Sequence, residues 1–455
     1  MSVSEAAGKG DLLALAVEVA GRARDGEQIE AYAARGRDNE IQVFNGDIES
    51  LSSAESAGIG IRVVAGNRQG FAYAGSLDPD VVDDALAEAR DNAGFATPDE
   101  WVGLAEPDGV AAADLDLWRD DLASYPTADK ISRALELERA VRAGDPRIRQ
   151  VDNAGWGDSA FESAVATSTG ITSSGRRTTC YLTVFAAAGD GDDTQTGYGY
   201  SVGRSPADLD LDEAASDAVE RATRLLGATK PASTRLTVVF EPRITSTLLS
   251  ILAGTLNGEA VLKQRSLFAD RLGQSVSVPA LTLVDDPTDP ETFGAAAHDA
   301  EGLATRRNVL IDGGVLQQFL YDTYAGRRAG KASTGSAVRG GFKGRPGPGA
   351  RALTVVPGTA SPEEIYRQVG DGLLVQSVSG IHSGVNPISG DFSVGAEGVL
   401  IKDGALDRPV REITIASTLQ RMLQGVSAIG SDLTILPSSA TGVTLAIDDV
   451  SMSGT

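Results

Sequence analysis

The stretch IEAYAARGRDNEIQVFNGDIESLSSAESAGIGIRVVAGNRQGFAYAG, residues 29–75, decides how this chain begins to fold. It holds three β-rich runs separated by Gly, Asn and Asp, the residues that tolerate the backbone of tight turns. Just before it, Leu12, Leu13, Leu15, Ala16, Val19 and Ala20 fall on one face of an amphipathic helix. Just after it, DPDVVDDALAEARDNAGFA (78–96) has an acidic start and apolar residues at helical spacing, which predicts a second helix. Residues 11–100 therefore read as a small α/β layer.

Moving outward, residues 101–125 are acidic and irregular and read as a linker. Residues 127–148 predict an amphipathic helix closed by Gly144-Asp145-Pro146, and Val151 to Gly203 turns strand-rich with Gly turns. Leu209–Leu226 reads as a helix, and Gly227–Ser233 as a boundary. From Thr234 the chain changes to short β-rich runs such as RLTVVFEP, NVLIDGGVLQQFLYD and SVGAEGVLIKDG. Helices are expected there at 244–264, 361–370 and 417–426. The fold class this predicts is α+β. An N-terminal α/β region with a mixed sheet spans 1–232, with 11–100 a first subdomain and 126–227 a strand-rich second part. A β-rich, antiparallel, barrel-like C-terminal domain spans 233–455.

Composition narrows the function. With 63 acidic and 40 basic residues the net charge is −23. Such a surface repels the phosphates of nucleic acid and of anionic membranes. No apolar run approaches the roughly 20 residues of a membrane-spanning helix. The first 27 residues lack a basic segment ahead of their apolar positions, so no signal peptide is expected and the cytoplasm is the expected compartment. The single cysteine, Cys180, excludes an internal disulfide framework and a multi-cysteine zinc site. Its setting, TTCYLTVFAAA, favours a buried inert thiol over a nucleophile.

Histidine is the sharpest constraint. There are two, His298 and His382, and neither sits in H-E-x-x-H or any paired helical spacing. There is no G-x-S-x-G elbow. The pairs Asp192-Asp193, Asp285-Asp286 and Asp448-Asp449 read as turns and solvated faces of an acidic chain. One locally basic segment, KASTGSAVRGGFKGRPGPG (331–349), carries Lys331, Arg339, Lys343 and Arg345 among glycines but lacks Walker spacing. It reads either as a loop that is mobile or orders against a partner, or as an anion-binding loop.

Three stretches together resemble the TldD/PmbA family. GIGIRVVAGNRQGFAYAG and the helix after it (58–89) are similar to the family's N-terminal G-x-x-x-R-V-x-x-G-x-x-G-F segment. HDAEGLATRRNVLIDGGVLQQFLYDTYAGRRAGKASTGSAVR (298–339) is similar to its D-x-E-G … G-V-L … S-T-G stretch. Residues 372–417, with NPISGDFS followed by a Gly, an Asp-Gly turn and a Pro-Val strand, match a third. One branch of the family carries H-E-x-x-x-H on a helix, positions roughly one turn apart that hold a metal, with the Glu beside the activated water. Here the matching helix is LLSILAGTLNGE (248–259). Ser250 stands at the first His, Ile251 at the Glu and Thr255 at the second His. No cysteine follows in 427–454.

Ser and Thr are poor zinc ligands and Ile is no base, so the resemblance implies the other branch, PmbA (also called TldE). It implies no catalytic residue and no cofactor in this chain, the metal, zinc, residing in a TldD-like partner subunit. The pair would form a hollow dimer that takes in unfolded peptides and degrades them or processes peptide precursors. The alternative is a self-sufficient homodimeric peptide-binding protein without protease activity.

Overall fold

The structure, a computed structural model, describes residues 11–455; the reading of the first ten residues lies outside it. Residues 27–203 build one six-stranded sheet. Its strands are β1 (Glu27–Phe44), β2 (Asp47–Ala65), β3 (Arg68–Ala74), β4 (Ile148–Thr167), β5 (Thr172–Ala188) and β6 (Gln195–Gly203), in the order β3-β2-β1-β4-β5-β6. Every pairing is antiparallel, which corrects the expected mixed sheet. The reason lies in the turns. Asn45 and Gly46 (φ 53° and 82°) and Gly66 and Asn67 (φ 55° and 58°) make two-residue reversals. Links that short join only antiparallel neighbours.

Four helices cover one face of this sheet: α1 (Leu12–Ala20), α2 (Pro79–Phe95), α3 (Thr127–Gly144) and α4 (Leu211–Arg224). Ile29, Ala31 and Ala33 of β1 and Ile59, Ile61 and Val63 of β2 are buried with Ala16 and Val19 of α1 and Val82, Ala85 and Ala89 of α2. Ile41, Val43, Trp156, Leu182 and Val184 are buried with Leu137 and Val141 of α3 and Ala214 and Ala218 of α4. Strand alternation then sends Glu30 and Tyr32 of β1, and Gly58, Gly60 and Arg62 of β2, to the opposite face. Segment 101–125 is more than a solvated linker. Leu104, Ala105, Leu117 and Leu122 are buried, and the Leu117 carbonyl accepts from the Thr178 N–H of β5 at 3.0 Å.

The C-terminal part contains a closed five-stranded barrel of β7 (Thr234–Phe240), β8 (Gly372–Ser379), β9 (Asp391–Lys402), β10 (Ala405–Thr418) and β11 (Leu445–Ser453). The order runs β10-β9-β8-β7-β11, and β11 returns to β10 to close it. All these pairings are antiparallel except β7 with β8. Helix α5 (Pro242–Thr255) follows β7 and buries Leu248, Leu249 and Leu252 with Val238, Phe240, Leu373 and Val375 of the barrel. The helix expected over 244–264 is split. Asn257 accepts from the N–H groups of Glu259 and Ala260 and starts a separate turn, Gly258–Leu262. No helix among the described residues is long and apolar enough to cross a membrane.

Candidate functional site

Between the uncovered face of the sheet and the C-terminal part lies a cleft of about 1140 Å³. Its floor is sheet: Tyr32 of β1, Phe161 and Val165 of β4, and Ser173 and Arg177 of β5. Its roof comes from segments 293–300, 338–341, 350–351 and 438–439, and residues 114–118 form a lip.

A buried charge network closes one end. Glu30 and Arg62 are directly opposed on β1 and β2, and the Arg62 guanidinium meets the Glu30 carboxylate at 2.5 Å. Arg62 also reaches Glu301 at 3.3 Å, while Arg339 donates to Glu30 at 2.8 Å and to the Ala300 carbonyl. The Arg339 guanidinium lies 4.4 Å above the Tyr32 ring, and Glu301 accepts from the Thr323 N–H at 2.8 Å. Two carboxylates and two guanidiniums thus neutralise each other where side-chain exposure is 5% or less. Burial alone would push the Glu30 carboxyl up, but Arg62 and Arg339 outweigh it and hold the group below its ordinary value.

Three more carboxyls sit around this network without a cation against them. Asp299 accepts from the N–H groups of Glu301, Leu303 and Ala337 at 2.9–3.1 Å, and burial followed by the charge of Glu301 pushes it up to about 7. Asp322 caps the helix Thr323–Ala329 through the Ala325 N–H and is likewise pushed up to about 7 by burial and Glu301. Asp285 is pushed up to about 6 by burial, opposed by the N–H groups of Ala352 and Arg351. These carboxyls fasten loops through backbone N–H groups, although Asp285 Oδ2 is buried without a partner.

The glycine-rich segment 331–349 orders against this chain's own sheet. Its Arg339 enters the network, and its Phe342 lies over Gly58 and Gly60. A Cβ on Gly60 would come within 2.3 Å of the Phe342 carbonyl oxygen, so only glycine permits that approach. Lys331, Lys343 and Arg345 are exposed. His298 lines the cleft half-buried, and burial pulls its imidazole below the ordinary value. His382 sits in an exposed turn, Ile381–Gly384, outside the cleft wall, so the structure does not join the two histidines in one site. Cys180 is buried on β5, its thiol pushed up to about 12 by burial and by Asp208 and Asp158.

Helix α5 is held to the N-terminal part at its first turn, where Arg243 pairs with Asp217 and Arg221 meets Glu241 at 2.6 Å. One turn on, Ser246 bonds Ser438, which lines the cleft. The three family positions follow on this helix without sharing a face. Ser250 is exposed and donates to the Ser246 carbonyl at 2.9 Å. Ile251 packs against the core, and Thr255 is fully buried and donates to the Leu252 carbonyl at 2.7 Å. Two hydroxyls already turned to the backbone and one alkyl group offer zinc no nitrogen, sulfur or carboxylate donor, so these residues do not fit the metal.

Sequence reading missed the cleft residues Glu30, Tyr32, Arg177 and Arg351. Arg62, Asp299 and Glu301 were inside the quoted R-V and D-x-E-G motifs, but nothing in their spacing joined residues over 200 positions apart.

A closed barrel with its flanking helix thus faces an antiparallel, helix-backed sheet across a large cleft. Family models agree along the chain: PmbA/TldA metallopeptidase domain 1 matches 29–93, the central domain 120–226 and the C-terminal domain 233–454. This chain belongs to the PmbA/TldD metallopeptidase family. It is 27% identical over 426 residues to metalloprotease PmbA of Escherichia coli O157:H7, covering 93% of this chain and 91% of that protein. It is 28% identical over 413 residues to the PmbA homolog of Haemophilus influenzae, covering 90% and 88%. It shares its fold with the crystal structure of TldE from Thermococcus kodakarensis, at a TM-score of 0.86 and 24% identity over 94% of this chain and 97% of that one.

Proposed function

We propose that this chain is the non-catalytic subunit of a two-subunit cytoplasmic metalloprotease, in which a TldD-like partner carries the metal and this chain holds peptide. The observation that carries the reading is α5. Its three family positions present a Ser hydroxyl and a Thr hydroxyl bonded to the helix's own carbonyls and an Ile in the core. The cleft beside that helix supplies what a non-catalytic subunit needs, a large lined surface for an unfolded chain. Substrates on this reading are unstructured polypeptides or peptide precursors.

The test is reconstitution. The chain alone with added zinc should leave an unfolded peptide intact, and mixing with the metal-bearing subunit should start chelator-sensitive cleavage. Robust chelator-sensitive cleavage by the chain alone overturns the proposal. Purification from the native host provides an independent check. A stoichiometric metal-bearing partner supports it, whereas a homodimer with no such partner favours a self-sufficient peptide-binding protein.

A further inference from the structure

The charges of the cleft divide into two groups. Near Glu30 they cancel. Further along the floor they do not. Arg177 of β5 is exposed and makes no ion pair or side-chain hydrogen bond among the described residues; its guanidinium lies 5.5 Å from the ring centroid of Phe161, the residue opposite it on β4. Stacking of this kind occupies the face of the guanidinium and leaves its N–H edge free. From the roof comes Arg351, whose buried Nε has no partner and whose side chain makes no hydrogen bond among the described residues. Beside the roof segment, Arg204 donates to the Thr292 carbonyl at 3.0 Å but leaves its buried Nη1 without a partner.

Arg177 and Arg351 both line the cleft; Arg351, and Arg204 outside the cleft wall, titrate below their ordinary value because of burial first and the charge of Arg177 next. Most acidic groups around the cleft are committed elsewhere: Asp299 turns its oxygens to three backbone N–H groups, and only Asp114 lines the cleft with neither an ion pair nor a side-chain hydrogen bond among the described residues. Glu162 takes Arg35 at 2.5 Å, Asp116 takes Arg119 at 3.0 Å, and Asp11 caps α1. Asp285 bonds the backbone N–H of Arg351, while its Oδ2, buried, makes no hydrogen bond, so it does not close a pair with that guanidinium. Buried guanidinium donors that meet no acceptor, such as Arg351 Nε, are costly unless a ligand completes them.

We propose that Arg177 and Arg351 form a carboxylate subsite in the cleft, which anchors an unfolded peptide by its C-terminal carboxylate or by an acidic side chain. The peptide half of this statement rests on the proposed function. The cleft is larger than the roughly 300–1,000 Å³ of pockets that enclose small molecules, and Phe161, Phe293 and Tyr32 line it, which suits a chain segment more than a lone ion. Arginine forks match carboxylate geometry through paired N–H donors.

Three fluorescent ten-residue Ala/Gly/Ser peptides test it on the full chain: one with a free C-terminal carboxylate, one amidated, and one amidated with a single internal Glu. The free carboxylate should bind at least about tenfold more tightly than the amide. The Glu peptide recovers that affinity if a side chain also serves, and stays with the amide if the site reads the terminus alone. Arg177→Gln, at an exposed position, should abolish the preference for the carboxylate form over the amide. Arg351→Gln should do the same, with its unfolding midpoint measured alongside. Equal binding of all three peptides, or a full carboxylate preference in Arg177→Gln, overturns the subsite and leaves the peptide reading standing. Binding of none, by the chain alone or with the metal-bearing subunit, overturns both.

Discussion

Two groups of arginines face the same cleft and are treated in opposite ways. Arg62 and Arg339 lie at 5% and 2% side-chain exposure with Glu30 and Glu301 against them. Arg177 is exposed on β5, two strands from β1, with only an aromatic face beneath it, and Arg351 has a buried donor with nothing to bond. The first group ties the sheet to the C-terminal part; removing one member strands a buried charge. The second holds nothing together that the structure contains. Both groups hold buried donors without a partner, Arg62 Nε and Arg339 Nη1 among them, so it is the ion pairing that separates a charge that bears on folding from one free to meet a ligand.

The largest effect should come from breaking the satisfied group. Arg62→Met leaves Glu301 without its ion-pair partner and Glu30 with only Arg339. Breaking a buried pair from one side costs about 3–5 kcal/mol, far more than the intact pair contributes against a well-packed apolar replacement. Urea unfolding should show that loss. Arg177→Gln should stay within about 0.5 kcal/mol of the parent, as exposed substitutions do. Equal costs for the two variants would erase the distinction between the groups.

That distinction was not visible in the sequence. The strands, the turn residues and the four N-terminal helices were, because they are local: Asn45-Gly46 dictates its hairpin and α2 shows its acidic start and apolar face. The sheet's direction was not inferred, although the same two-residue turns contain it. Glu30 and Glu301 lie in different lobes, joined only through Arg62 and Arg339, and the pairing of Phe342 with Gly60 is equally non-local. Reading segment 331–349 as a loop that orders against a partner identified a docking segment but not its surface, which is this chain's own sheet. Ser250, Ile251 and Thr255 were legible only by resemblance, since α5 without it is an ordinary apolar helix.

A pH experiment sharpens the role of the tying network. Asp322 rises from an ordinary 3.8 to about 7 through burial and the nearby Glu301. Between those values the unfolded chain gives up a proton that the folded chain keeps. Its contribution is therefore complete below about pH 4 and lost as pH climbs through 7. About three units at 1.36 kcal/mol each set the effect on the order of 2–4 kcal/mol. Asp322→Asn keeps the cap on Ala325 and removes the titration, so its Tm should fall less than the parent's from pH 5 to pH 8. His298, pulled down by burial, works in the other direction near pH 6.5 in both proteins and cancels in the comparison. An unchanged pH dependence in Asp322→Asn would detach this carboxyl from the network.

The smallest effect of a buried substitution should come from Cys180, and it isolates what β5 does. Arg177 lies near the exposed end of the strand, whereas three residues on Cys180 is buried with Leu182 and Val184 beneath α3 and α4. A thiol pushed up to about 12 carries almost no thiolate at neutral pH, so it has no nucleophile to lend. Cys180→Ala removes one sulfur from a packed site and should cost about 1 kcal/mol. Peptide affinity should not move, and alkylation of the parent should wait for unfolding. Rapid alkylation of the folded chain, or a loss of peptide binding matching that of Arg177→Gln, would mean that the buried face of β5 communicates with the cleft and that the strand cannot be divided into a structural half and a binding half.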